Sequence, residues 1–287
     1  MATGNITVTT AVEFIQTVLP LEILAALKAN LVLAELVTRL DSLTAGKEKG
    51  NAIKIPHVSE MEAKDKTANV DMTAETFTEG ETTLDLDKHK YAMFEVEDIV
   101  TLQSKFDFRA IYVKEAAAAI AKKIDSDISA AMYASATNSV DATTGVTWAN
   151  LRTCRKYLQA ANVPPLERYL VLQSDAEDDV MNLAEVKNRG DYLDANTPGV
   201  VQNGRIGRLL ACDVFATENL PASDVSAVSK THNLMFQKGG MALAIQQQPR
   251  VEISRQHKAL AWAVSVDVVY GVKVMRGASI VDLQRNA

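Results

Sequence analysis

Cysteine is nearly missing from this chain: Cys154 and Cys212 are the only two in 287 residues. They fit neither a disulfide framework nor the paired spacing of a zinc site, so buried free thiols in a reducing compartment are expected. Long apolar runs are missing too. Asp267 interrupts the best candidate, Ala259 to Val274, and nothing approaches the ~20 residues of a membrane span. The N-terminus, MATGNITVTTAVEF, has neither a basic n-region nor an apolar h-region, so no signal peptide is expected. Lysine and arginine nowhere cluster densely. With a net charge of −6 and a sequence pI near 5.4, a protein built mainly to grip nucleic acid is disfavoured.

Catalytic motifs are also lacking. There is no glycine-rich phosphate loop, no G-x-S-x-G elbow and no H-E-x-x-H helix. His57, His89, His232 and His257 are scattered without metal-ligand spacing and read as surface or structural residues. The one dense acidic cluster, Asp175, Glu177, Asp178 and Asp179, falls in the first turn of an expected helix, where the macrodipole favours acids. Gly204 and Gly207 in NGRIGR read as turn and strand glycines, because no helix follows. No catalytic, cofactor-binding or metal-binding residue is assigned, and no cofactor.

What is present is a folded chain with real cores: 47% of residues are hydrophobic and 23% charged, enough for one large or two ordinary domains. Phe106 to Ala136 contains no proline or glycine and is rich in alanine, which favours helix throughout. Val113, Ala117, Ile120, Ile124, Ile128 and Met132 form one apolar stripe, with Arg109, Lys114, Lys122, Lys123, Asp125 and Asp127 largely off it. Such a helix is roughly 45 Å long, about twice or more the globular mean. Ser104 or Asp107 is expected to cap it.

Before it, Leu21–Ala29 and Leu31–Leu40 are apolar and helix-compatible, and need cover. Ile53 and Ile55, then Thr82–Asp87 and Tyr91–Glu97, alternate as strands. Residues 53–97 thus read as two antiparallel arms around a polar tip; arms of about 15 residues reach roughly 50 Å. A hairpin of that length is not stable alone, which argues for oligomerisation. After the long helix come a helix from Trp148 to Ala161, opened by Thr147 or Asn150, and a strand at Arg168–Leu172. A capping box, Ser174 to Glu177, opens a helix to about Lys187. An Asn203-Gly204 hairpin turn follows, then strands over Cys212–Ala216, Asn233–Gln246, Val251–Arg255, Ala259–Met275 and Ser279–Leu283.

This order, with the strings NGRIGRLLACDVF and Asn219-Leu-Pro221, resembles a tailed-phage major capsid protein of the Hong Kong 97-type shell fold, which encapsulins and herpesvirus capsids share. Asn30–Asp41 running into Gly50–Pro56 is similar to the arm that leads into the family's extended loop, and Leu86–Asp98 to its return strand. The resemblance implies an α+β fold with an N-terminal arm (1–45), then an extended loop (about 53–88) and peripheral domain with spine helix (about 106–136) within 46–140. It further implies an axial domain (141–235), peripheral strands (236–266) and strands returning to the axial domain (267–287). It also implies a non-enzymatic subunit that self-assembles as pentamers and hexamers into an icosahedral shell. That shell encloses double-stranded DNA without sequence-specific binding and contacts no membrane.

With about 45 residues before the loop, a separate scaffolding protein or a removed segment is expected, along with a portal; a decoration protein is left open. The expected location is the virion capsid, assembled in the bacterial host cytoplasm. Rival readings are an encapsulin-like cage, a soluble α/β enzyme with a convergent polar pocket, and a filament built on 106–136, the last disfavoured by too few heptads. Some family members weld the shell through a lysine near the extended loop. Lys64 and Lys66 sit at such a tip but read here as a solvated charge run. Boiling assembled particles in denaturant is therefore expected to release single chains on a gel; a covalent ladder would overturn this.

Overall fold

The long helix forms where its composition demands, as α3 below. The structure is a computed structural model that describes residues 5–6, 32–41, 50–58, 63–66, 68–69, 71–72, 74, 79–103, 108–187, 206–225 and 228–286. In chain order its helices are α1 (Leu33–Leu36), α2 (Asp98–Gln103), α3 (Phe108–Ser135), α4 (Trp148–Ala160), α5 (Ser174–Asn182) and α6 (Ala184–Lys187). Its strands are β1 (Asn5–Ile6), β2 (Thr38–Arg39), β3 (Ala52–Val58), β4 (Glu79–Asp85), β5 (Lys88–Glu97), β6 (Asn138–Asp141) and β7 (Arg168–Leu172), followed by β8 (Arg208–Leu209), β9 (Cys212–Ala216), β10 (Ala222–Val225), β11 (Val228–Gln237), β12 (Met241–Gln256), β13 (Ala261–Val274) and β14 (Ile280–Asn286).

Along α3 the buried line is Ala116, Ile120, Ile124, Ile128 and Met132, an uninterrupted i, i+4 row. Ala117, placed on the stripe from sequence, is exposed, because the row runs one residue earlier. Asp125 and Ser129 form a second, fully buried row beside it.

That row packs on a five-stranded sheet of order β1-β5-β13-β12-β2, whose centre is antiparallel. The helix-facing residues include Phe94 and Ala92 of β5, Val266, Val268 and Tyr270 of β13, and Met241 and Leu243 of β12. The far end of α3 also reaches a second sheet, of order β6-β14-β11-β7-β9-β8 with β10 on β11. Val171, Leu234, Phe236 and Ile280 face the α3 core. Leu170, Leu172, Met235, Val281 and Leu283 alternate to the opposite face, where they meet Leu151, Cys154 and Leu158 of α4 and Ala176 and Val180 of α5.

Several expectations shift. β5 lies in the five-stranded sheet, so the extended loop is the β3–β4 hairpin, paired from Ala52↔Asp85 to Val58↔Glu79. Seven paired residues span roughly 23 Å, about half the length expected. The described residues between 59 and 78 form no strand. β13 stays in the first sheet to Val274, so the chain changes sheets at Gly277–Ser279, later than the 266/267 boundary. Around Leu31–Leu40, only one helical turn forms before β2 takes over. β12 runs unbroken past Pro249 because the register shifts there, between Gln247 and Arg250.

The hairpin preceding Cys212 turns at Leu210–Ala211, both with positive φ (51° and 68°), so Cys212–Ala216 is the return strand. The Asn203-Gly204 turn, Ser104, Asp107 and most of the N-terminal arm lie outside the described residues. Thr147 caps α4 as expected, accepting from the Asn150 N–H at 3.3 Å. Ser174 is not the cap of α5: Gln173 holds that position, and Glu218 accepts from the Ser174 N–H (3.0 Å) and from Gln173 Nε2 (3.1 Å).

Where the β3–β4 hairpin leaves the body, Leu84 is fully buried against Ala242 and Ala244, with Ile53 and Leu40 beside it. Gly271 makes this approach possible. A Cβ there would lie 2.1 Å from the Asp85 carbonyl oxygen and 2.8 Å from Leu84 Cδ2. Gly271→Ala is expected to lift the hairpin root, costing ~1–3 kcal/mol, and to speed limited proteolysis between 52 and 85. Unchanged denaturation and cleavage would refute this.

Candidate functional site

The arm, the hairpin and the first sheet meet on α3, and two carboxylates organise the junction. α1 has no side-chain cap of its own. Asp125 supplies one from across the fold, accepting from the Val32 N–H and the Ala34 N–H, each at 3.0 Å. Burial pushes its carboxyl above the ordinary range; the amides of Val32, Ala34 and Leu33 and the side chain of Asn219 offset part of that push. Behind this clasp, Leu33, Leu36 and Val37 enter the core. The chain then adds to the β12 edge, with Thr38 and Arg39 beside Ala242 and Leu243. The Leu40 N–H donates to the Leu243 carbonyl (2.8 Å), and the Ile245 N–H to Asp41 (2.9 Å).

Two residues on, Asp127 faces the sheet. It accepts from the Tyr270 hydroxyl at 2.8 Å and lies 3.2 Å from Lys123, 3.6 Å from Lys88 and 3.8 Å from Lys90. Burial pushes this carboxyl up, but the Tyr270 hydroxyl, Lys123 and Lys88 together outweigh burial and hold it below its ordinary value. Burial, and then Asp127 itself, raise the Tyr270 phenol, which stays a donor. Asp125 and Asp127 had read as residues off the packed face of the helix; both are structural polar anchors.

On the opposite face of the sheet, Asp267 meets Arg250 (3.0 Å), His89 (3.2 Å) and Gln247 (3.2 Å). At the sheet's end, Arg255 grips Asp98 with both terminal nitrogens at 2.6 Å and lies 5.1 Å from the Trp262 ring centroid.

The residue types that carry catalysis are placed structurally. Of the four histidines, only His232 is buried, stacked on Tyr133 (4.2 Å) and paired with Asp282 (2.9 Å). Cys154 and Cys212 are free and buried; burial pushes their thiols up to about 12 and about 11, so neither is a thiolate nucleophile at neutral pH. The acidic cluster divides: Asp179 accepts from the Val146 N–H (3.0 Å) and from Arg285 (2.7 Å), whereas among the described residues Asp178 bonds with Asn182 within its own helix (3.0 Å). Among the described residues no three His, Cys, Asp or Glu side chains group as metal ligands. No described helix is long and apolar enough to cross a membrane. A surface hollow of about 640 Å³, beside α4, contains no carboxylate, imidazole or thiol.

Apolar side chains do reach the surface. Tyr91 (73% exposed) and Met93 lie on the sheet face away from α3. Leu102 (85%) and Ile99 on α2 and Leu260 in the β12–β13 turn are exposed, and the Asp98–Leu260 backbone bond holds the two segments together; Ile253 and Val251 are exposed further along β12. Exposed large apolar side chains near one another are the kind of surface that marks contact with other molecules.

Asp127 gives a pH test. Its native value is depressed, so its charge stabilises the fold fully above the unfolded value of ~3.9, and that contribution is lost as pH falls through the lower native value. Asp127→Asn keeps the shape and an acceptor for Tyr270. It is expected to lower the melting temperature at pH 7, with the gap to wild type shrinking as pH falls through the carboxyl's lowered native value. A gap independent of pH would overturn this assignment.

Comparison with known proteins matches this architecture. A family model described as phage capsid protein matches residues 38–286. No curated protein sequence matches. Among solved structures, a chain from Mycobacterium phage Che8 is similar at 24% identity with a TM-score of 0.75, covering 89% of this chain and 91% of that one. The capsid of cyanophage P-SCSP1u is similar at 15% identity and TM-score 0.74, covering 96% and 94%. A chain from Gordonia phage Cozz is similar at 10% and 0.67, covering 100% and 97%. With the long helix, the arm, the hairpin and the two sheets in place, the chain belongs to the phage capsid protein family and is a major capsid protein of the Hong Kong 97-type fold.

Proposed function

We propose that this chain is the repeating subunit of an icosahedral shell, built of pentamers and hexamers, that encloses the double-stranded DNA of a tailed phage. The observation that carries this reading is the β3–β4 hairpin. It has only two strands, is rooted by Leu84 at one end, and presents Lys54, Pro56 and His57 to solvent. A two-stranded hairpin is marginal by itself, and a neighbouring subunit supplies the missing cover. The exposed apolar residues near α2 and on β5 call for the same remedy.

In this reading the sheet on α3 is the peripheral domain, the sheet under α4 and α5 the axial domain, and residues 1–45 the arm. The net charge of −6 suits a wall that encloses DNA without binding its sequence. The subunit is non-enzymatic and works in the virion after assembly in the host cytoplasm, with a separate scaffolding protein and a portal as partners.

Negative-stain microscopy of the purified chain over a concentration series tests this. Closed shells, or rings of five and six, are the expected result. A discrete dimer that never progresses would overturn it, and particles filled with a protein cargo in place of DNA would indicate an encapsulin-like cage.

A further inference from the structure

α4 and α5 lie on the same face of the seven-stranded sheet and share its core, yet their outward charges are of opposite sign. α4 carries Arg152, Arg155 and Lys156 and no acid. α5 carries Asp175, Glu177, Asp178 and Asp179 and no base. Within one subunit the two sets do not meet: among the described residues none of the three α4 cations makes an ion pair or a side-chain hydrogen bond. Arg155 Nε is shut off from solvent and has no partner, an arrangement that costs free energy unless something completes it.

Arg152, Arg155 and Lys156 line the 640 Å³ hollow together with Trp148, Gln159 and Leu210. On α5, Asp179 is consumed by Arg285 and Val146. Asp175 keeps only a 3.5 Å contact to Arg285 with its side chain 60% exposed, and Asp178 is exposed.

We propose that the cationic hollow on α4 receives the acidic outer face of α5, through Asp175 and Asp178, from a second copy of this chain. The contact joins two different faces, so it is head-to-tail, the kind that closes rings. This rests on the shell reading and specifies one contact within its rings. Trp148 offers an apolar wall beside the charges. Charges at such a rim act mainly on encounter rate and partner selection. Assembly is therefore expected to slow as salt rises, since the Debye length falls from about 10 Å at 0.1 M to 3 Å at 1 M.

Charge reversal tests the pairing. Arg152→Glu with Lys156→Glu, and separately Asp175→Lys with Asp178→Lys, are each expected to slow assembly at least tenfold while circular dichroism stays that of wild type. The four substitutions in one chain restore the match and are expected to restore rings of both five and six. Mixing the two double variants restores it only between unlike subunits, which must alternate, so six-membered rings return and five-membered rings do not.

Wild-type assembly by either double variant would overturn the pairing while leaving the shell reading intact. Loss of DNA retention with normal assembly would assign the hollow to phosphate and overturn it as well. A wild-type chain that stops at a discrete dimer would instead remove the shell reading, and the proposed contact with it.

Discussion

Two carboxylates on one helix hold this subunit together as one body. Asp125 takes the unsatisfied amides at the start of the arm turn, and Asp127, two residues later, takes the Tyr270 hydroxyl and three ammonium groups. A spacing of two turns the side chains roughly 200° apart around the helix. One carboxylate therefore reaches the arm while the other reaches the sheet. Buried charges cost heavily unless their partners are in place. The two sites thus oblige the arm, the return strand β5 and the centre of the sheet to adopt one mutual arrangement.

The apolar row of α3 performs the larger part of the packing. Ile120, Ile124, Ile128 and Met132 belong to a single cluster that includes residues of both sheets and Leu33, Leu36 and Val37 of the arm. The helix is long because it must underlie the first sheet and still reach a face of the second. Its length is a spanning requirement.

The remaining elements show what one subunit leaves unfinished. The β3–β4 hairpin depends on Leu84 and Gly271 at its root, where no Cβ fits between β13 and Asp85. Leu102, Leu260 and Tyr91 are exposed to a degree expected of contact surface, and α4 and α5 display charge of opposite sign, the α4 cations without an ion-pair partner among the described residues. These features are costs in an isolated chain and become contacts in an assembly, as expected of a capsid protein.

Local chemistry alone determined a good part of this. The absence of proline and glycine with alanine enrichment settled α3 to within two residues of Phe106–Ala136; the Thr147 hydroxyl settled the start of α4; and alternation settled β3, β4 and β5 as strands. These depend on neighbours a few residues apart, which a linear reading contains. Only the tertiary structure decided that the paired arms of the loop stop at Val58 and Glu79, that Glu218 and not Ser174 serves the start of α5, and that Leu210–Ala211 makes a tight turn without glycine or asparagine. It alone also showed that Asp125 and Asp127 are anchors. Each joins residues far apart in the chain, as with Asp125 and Val32, and two polar side chains on a helix look solvated until the groups that meet them are brought there by the fold.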